Sequence, residues 1–410
     1  MKKMKTMILL ALCLSLLTGC AAPALTSALA ADESAGTEAP AGNEAYADFA
    51  AELLRRCRTE GNNTLVSPLS VILALGMTAN GASEDTLREM ETVFGMDRDT
   101  LNAWCAWAME TYSHLGGSTE TNLVNSLWYD DAMKLSEDFA DFCRRNYGAE
   151  LRAQDLQAPD AARIVNEWVS EATRGLIPEV VDSFSDEMVL ALINAVYLKN
   201  MFETPFVTPA VEWYMDFTAE NGAVSRPIGM SNGTRTELYV SGENGRGVVL
   251  PYDDGRLGLM LLLPDEGVAL TDYLASWDGN ALRELLAGRQ ERLVKLNVPR
   301  YEIEWSDSLR DSLSAMGMPG AFTKEADFHL LGTADGAPLY LGDVLHKTVL
   351  RVNERGTEAA AVTAVMVAMG AALPPADMVE LIFNRPFVCG IVDLETGAPL
   401  FLGTVEDLSE

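Results

Sequence analysis

The chain has 410 residues, of which 60 are Asp or Glu and 30 are Lys or Arg, for a formal net charge of −30. An acidic balance of this size excludes nucleic acid as a partner, because phosphate recognition needs a basic stripe that this chain lacks. His114, His329 and His346 are the three histidines; they have no metal-ligand spacing and no glycine loop suits phosphates, so no metal or other cofactor is expected.

The amino-terminal stretch reads as a leader. Lys2, Lys3 and Lys5 form a positive region, residues 7–17 an apolar one, and Leu17-Thr18-Gly19-Cys20 a lipobox. Small residues before a cysteine let a peptidase cut and leave a thiol for lipidation. Residues 1–19 are therefore expected to be a lipoprotein signal peptide, and Cys20 the lipid site. That places the protein on the cell envelope, facing outside the cytoplasm, in contact with the membrane only through its anchor. Two or more acyl chains on one cysteine hold a protein on a bilayer, where a single chain does not. The pattern Ala28-Leu29-Ala30 offers ordinary secretion as the alternative. Residues 20–45 are then the lipidated cysteine and a flexible linker, rich in Ala, Pro, Ser, Thr and Glu with almost nothing to bury. Loss of residues 1–19 removes three lysines and no acid, so 27 basic against 60 acidic residues leave −33, a balance that favours solubility.

Residues 46–410 read as one large domain with no second linker and no repeat. Tyr46, Phe49, Ala50, Leu53 and Cys57 recur at helical spacing and mark its first packed helix. The run Asn63-Thr64-Leu65-Val66-Ser67-Pro68-Leu69-Ser70 is followed by Gly81-Ala82 and Thr86. Trp168-Val169, Thr173-Arg174-Gly175-Leu176-Ile177 and Leu192-Ile193-Asn194-Ala195-Val196-Tyr197-Leu198-Lys199 come next. Gly229-Met230-Ser231-Asn232-Gly233 matches the hydrolase pattern G-x-S-x-G, but a nucleophile elbow needs a strand before its serine and a helix after it. Here Pro227 precedes and Asn232-Gly233-Thr234 is turn chemistry, so Ser231 is assigned no catalytic role and the chain is not expected to be an enzyme. Beyond the leader, Cys57, Cys105, Cys143 and Cys389 are widely spaced, and no obligatory disulfide is expected.

The stretch from Glu354-Arg355-Gly356 through residues 357–369 carries the most information. With period two, Thr357, Ala359, Ala361, Thr363, Val365, Val367 and Met369 share one face, all small or apolar and fit for burial. Gly356 gives a joint before this run, and Leu373-Pro374-Pro375 after it cannot continue an interior strand. A segment fit to be a central strand is flanked like a loop.

Glu-Arg-Gly-Thr-Glu-Ala-Ala-Ala-Val-Thr at residues 354–363 resembles the hinge of a serpin reactive-centre loop, and the resemblance extends in order from about residue 45 to 408. The run ending at Ser70 is similar to the helix B region, Trp168 to Ile177 to the end of helix F, and Leu192 to Lys199 to the central strand of the main sheet. Val249-Leu250-Pro251-Tyr252 with Leu261-Leu262-Leu263-Pro264 resembles the second-sheet hairpin. Pro299-Arg300-Tyr301, Met316-Gly317-Met318, Ala326-Asp327-Phe328, His346-Lys347, Asn384-Arg385-Pro386-Phe387 and Leu400-Phe401-Leu402-Gly403 complete the set.

The resemblance implies an α+β serpin fold with three β-sheets, about nine helices and an exposed reactive-centre loop. It implies a serine protease inhibitor acting as a monomer by suicide-substrate trapping, the protease being held as a covalent acyl-enzyme. The hinge is Glu354, Gly356, Thr357, Glu358, Ala359, Ala360, Ala361 and Thr363, and counting from Glu354 puts the reactive bond at Gly370-Ala371, beside Met369. Residues 357–370, 14 in all, span about 46 Å when extended, enough to carry a protease nearly from pole to pole of such a domain. Ser67, Ser70, Asn194 and His346 fall on the shutter, a polar cluster beneath the central strands. Arg300 pairs with Glu354 at the breach, where Phe202 stands in place of the tryptophan of most members; it is expected still to fill that space, with a looser opening around it. The small residues near the reactive bond imply elastase-like or subtilisin-like targets. A non-inhibitory serpin and a surface-binding lipoprotein are the alternative readings.

Overall fold

The computed structural model describes residues 40–185, 188–334, 338–357 and 377–409. In chain order these hold α1 (Asn43–Cys57), β1 (Thr64–Val66), α2 (Pro68–Ala79), α3 (Glu84–Phe94), α4 (Arg98–Ser113), β2 (Glu120–Tyr129) and β3 (Lys134–Leu135). They continue with α5 (Glu137–Tyr147), β4 (Glu150–Ala153), α6 (Ala161–Ala172), β5 (Leu190–Met201), β6 (Phe217–Thr218), β7 (Val224–Ser225) and β8 (Gly229–Ser231). Next come β9 (Arg235–Ser241), β10 (Gly245–Pro251), β11 (Leu257–Pro264), α7 (Leu270–Ala275), α8 (Gly279–Ala287), β12 (Gln290–Pro299) and β13 (Tyr301–Ser308). The rest are α9 (Arg310–Met316), β14 (Gly332–Thr333), β15 (Leu345–Asn353), β16 (Gly356–Thr357), β17 (Val379–Ile382), β18 (Phe387–Asp393) and β19 (Pro399–Val405).

Local sequence explains the helix boundaries. Ser67 caps α2 by accepting the Ser70 N–H, with Pro68 at the first helical position where its missing N–H costs nothing. All of α2 is buried, as expected of a helix apolar on every side. Asp97, Ser136 and Asp278 cap α4, α5 and α8 in the same way. The first helix starts at Asn43, so the last three residues of the expected linker belong to the folded domain. Gly42 makes the turn into it at φ 90°, and the Asn43 side chain is buried, donating to the Thr396 carbonyl at 3.0 Å.

Two sheets dominate. The larger runs β1-β19-β18-β11-β10-β9-β12-β17, and β11, β18 and β19 are buried along their whole length. Two of the three expected sheets meet in it along β12, which pairs with β9 over residues 290–294 and with β8 over 297–299. The smaller sheet runs β13-β15-β16-β5-β2-β4. Its two halves are each held by long ladders: β2 with β5 from Glu120–Lys199 to Tyr129–Leu190, and β13 with β15 from Tyr301–Val352 to Ser308–Leu345. Where the halves meet, β5 and β15 are parallel. Among the described residues β5 is bridged directly to the β15 segment only at Leu192–Val344, Val344 being the residue just before β15, and β16 lies between the far ends of the two strands. This seam is crossed by a small apolar cluster under α6 that includes Trp168 and Val169 of the helix, Ile193 of β5 and Val349 of β15.

Candidate functional site

The chain leaves β15, turns through Glu354-Arg355 and enters the seam as β16. Gly356 pairs with Asn353 on one side and Met201 on the other, while Thr357 pairs with Val352 and Asn200, antiparallel to both neighbours. Gly356 sits at φ 152°, and a Cβ there would stand 2.1 Å from the Asn200 carbonyl oxygen, so only glycine allows this approach. The turn itself is held from the adjoining segment. The Phe202 N–H donates to the Arg355 carbonyl and the Phe206 N–H to the Glu354 carbonyl, both at 2.8 Å. Arg300 Nη2 donates to Glu354 Oε1 at 2.7 Å and Nη1 reaches Glu212 at 3.5 Å. The Glu354 side chain is 13% exposed, so this pair is less wet than a surface ion pair.

Phe202 is packed and not loose. It is 3% exposed, stacks on Tyr252 with ring centroids 5.4 Å apart and planes within 4°, and meets the edge of Phe206 at 5.8 Å. Two neighbouring rings make up the bulk that a tryptophan would have supplied, so the opening is filled.

Beneath β16 lies a polar cluster that reasoning from sequence did not single out. Thr357 is 2% exposed, and its hydroxyl shares a hydrogen bond with the Tyr252 hydroxyl. Burial raises the Tyr252 pKa, which keeps the phenol protonated. Asn200, opposite Thr357 in the ladder and fully buried, donates through Nδ2 to Asp254 Oδ2. Asp254 also accepts from Thr119 Oγ1 at 2.9 Å and from the N–H groups of Arg256 and Leu257 at 2.6 and 2.7 Å. An asparagine at the end of an apolar strand was the available signal, since a buried amide must find partners.

At the other end of the seam, His346 on β15 is buried and accepts the Ser67 N–H through Nε2 at 3.0 Å. The ring is therefore neutral with its proton on Nδ1, and burial lowers its pKa from 6.5 to about 4. Ser67 Oγ donates to the Leu400 carbonyl at 2.9 Å while accepting from the Ser70 N–H at 3.2 Å. Thr348, two residues along β15, donates to the Leu65 carbonyl at 2.7 Å, and Trp305 meets the His346 ring edge to face at 6.0 Å. The structure thus joins Ser67, Ser70 and His346 in one network linking the seam to the start of α2. Asn194 lies on β5 opposite Asn125 in the ladder.

Cys20, Glu358, Ala359, Ala360, Ala361, Thr363, Met369, Gly370 and Ala371 lie outside the described residues. Ser231 ends β8, and its hydroxyl accepts the Gly233 N–H at 3.3 Å in the turn that follows. Cys57, Cys105, Cys143 and Cys389 are buried free thiols whose pKa values burial raises to about 12. Among the described residues no group of His, Cys, Asp and Glu is arranged to hold a metal ion, and no helix is long and apolar enough to cross a membrane.

Comparison with known proteins places this geometry in a family. Residues 44–408 match the family described as Serpin (serine protease inhibitor). An uncharacterized serpin-like protein of Thermococcus kodakarensis is 33% identical over 373 residues, covering 90% of this chain and 86% of the relative. Antithrombin-III of Homo sapiens is 29% identical over 375 residues, covering 88% of this chain and 80% of that protein. In three dimensions the chain is similar to the thermophilic serpin tengpin in its native state, with a TM-score of 0.83 at 31% identity, covering 89% of this chain and 94% of tengpin.

Proposed function

This chain belongs to the serpin family of serine protease inhibitors, which are not enzymes, and on that premise we propose that it traps its target by inserting its own cleaved loop. A serine protease attacks the loop near Met369, Gly370 and Ala371 and becomes acylated. The freed end then enters the seam between β15 and β5 as a new central strand before the acyl-enzyme can hydrolyse.

The observation that carries this reading is β16. Its two residues already pair on both sides in the register a full strand needs. Each step along the loop is one step back along β5, so Val367, ten residues beyond Thr357, comes opposite Leu190, ten residues before Asn200 and the first residue of β5. Residues 368–370 then reach past the end of the strand, which carries the acylated residue to the far pole. Thr357 faces the core, and by the period of two Ala359, Ala361, Thr363, Val365 and Val367 follow it there. No charge or proline is buried on that face, where either would be costly. On this reading the loop gains strand pairs only after cleavage, so the lifetime of the uncleaved fold is set by a barrier and not by the lowest free energy.

Elastase-like or subtilisin-like proteases are the proposed targets, because no Arg or Lys lies within residues 368–373. We further propose that the protein acts as a monomer, tethered to the cell envelope through lipid on Cys20 and facing outward. The test is incubation with a panel of serine proteases, followed by denaturing electrophoresis. A complex that resists SDS supports the reading. A loop cleaved by every protease with no complex formed would show a substrate, and no cleavage at all would favour a surface-binding lipoprotein.

A further inference from the structure

We propose that Tyr252 is a positioning residue: its hydroxyl latches Thr357 into the seam of the intact protein and so gives loop insertion a ready-made start. The proposal deepens the inhibitory reading above and rests on it for its consequence, while the latch itself is a property of the uncleaved chain.

Three observations converge on Tyr252. Its ring cannot turn away, because it stacks flat on Phe202, whose N–H holds the carbonyl of Arg355 at the turn into β16. Its hydroxyl is buried and bonded to the Thr357 hydroxyl. Its chain neighbour two residues on, Asp254, grips Asn200, the residue opposite Thr357 in the ladder. One short segment of the β10–β11 turn therefore fixes both β5 and the incoming hinge. If Thr357 withdrew, the Tyr252 hydroxyl would be left buried without that partner, and an orphaned donor costs more than the bond contributes. The hydroxyl therefore favours the seated hinge over the withdrawn one. Strand growth is slowest at its first pairs, where order is imposed before bonds accumulate. With Gly356 and Thr357 already in register, a cleaved loop starts past that point in its race against deacylation.

The experiment uses full-length Tyr252→Phe, Thr357→Val and the double variant, all of which keep the buried volume. Hydrogen exchange in the intact proteins reads the hinge with no protease present. Backbone amides of residues 353–357 and of Phe202 should exchange about fivefold faster in each single variant, the equivalent of one buried hydrogen bond, and no faster in the double variant. Amides of β18 should not change, which separates a lost latch from general loosening. With a trapped protease, the number of inhibitor molecules cleaved per complex should rise in both single variants, again without a further rise in the double. Unchanged exchange at residues 353–357, or effects that add in the double variant, would overturn the latch. If the unaltered protein traps no protease, the inhibitory reading fails, and the exchange data still decide whether Tyr252 holds Thr357.

Discussion

The hydroxyls of Thr357 and Tyr252 are hydrogen-bonded beneath the seam of the six-stranded sheet, so the first residue of the face proposed to insert is already buried in the uncleaved protein. Thr357→Arg would put a long charged side chain into that space, where desolvation costs several kcal/mol. The variant is expected to fold with β16 expelled. It should be cleaved as a substrate, with the yield of SDS-resistant complex reduced at least about tenfold. Gel densitometry against the unaltered protein checks this, and an unchanged yield would count against insertion.

The neutral imidazole of His346 makes stability depend on pH. Its folded pKa, about 4, lies below the ordinary 6.5, so the unfolded chain takes up a proton first as pH falls. The contribution is complete above pH 6.5 and is lost progressively down to about pH 4, on the order of 3 kcal/mol in all. Thermal melts across this window should show a steeper decline for the unaltered protein than for His346→Gln, which keeps a polar side chain that does not titrate. Parallel slopes would refute the assignment.

Arg58 and Glu406 form a two-bond ion pair at 2.6 and 2.8 Å, with side chains 7% and 0% exposed, tying the end of α1 to the carboxy-terminal segment. Glu406 also accepts the Gly61 N–H at 2.8 Å and the Thr404 hydroxyl at 2.9 Å. Glu406→Gln leaves the guanidinium buried without its counter-charge, and a loss of about 3–5 kcal/mol is expected in denaturant unfolding. A change under about 0.5 kcal/mol would mean that water reaches Arg58.

The proposed target choice rests on the loop sequence. Ala368, Met369, Gly370, Ala371, Ala372 and Leu373 are all small or aliphatic. Elastase-like or subtilisin-like enzymes should react at least about a hundredfold faster than trypsin, whose acidic pocket finds no basic partner here. Mass analysis of the released carboxy-terminal peptide would locate the bond, and a cut outside residues 368–373 would revise the register.

What could be read from the sequence was local or carried by order. The spacing of Tyr46, Phe49, Ala50, Leu53 and Cys57 is that of a packed helix, and all five are buried in α1. The serpin fold emerged from a set of short motifs in sequence, each weak alone. The expected linker overlaps the first three residues of α1 because Asn43 and Glu44 are polar; Asn43 is buried on the Thr396 carbonyl and the exposed Glu44 pairs with Arg283, partners far along the chain. The polar floor under the hinge was missed for the same reason. Tyr252, Asp254 and Asn200 gain their meaning only when β5 and the β10–β11 turn meet. Phe202 shows the limit of single-residue comparison: it fills its space as expected, but the looser opening its smaller ring implied is closed by Tyr252 and Phe206 packed against it.

The cut loop is expected to become a strand between β15 and β5, and the melting temperatures of the intact and loop-cleaved protein decide whether it does. A nick in an exposed loop ordinarily loosens a protein or leaves it unchanged. Here cleavage within residues 368–373 by a protease that does not remain bound should let Thr357 and the residues after it pair along the seam, and the cleaved form should melt well above the intact one. A cleaved form that melts at or below the intact protein would contradict insertion, and with it the inhibitory mechanism.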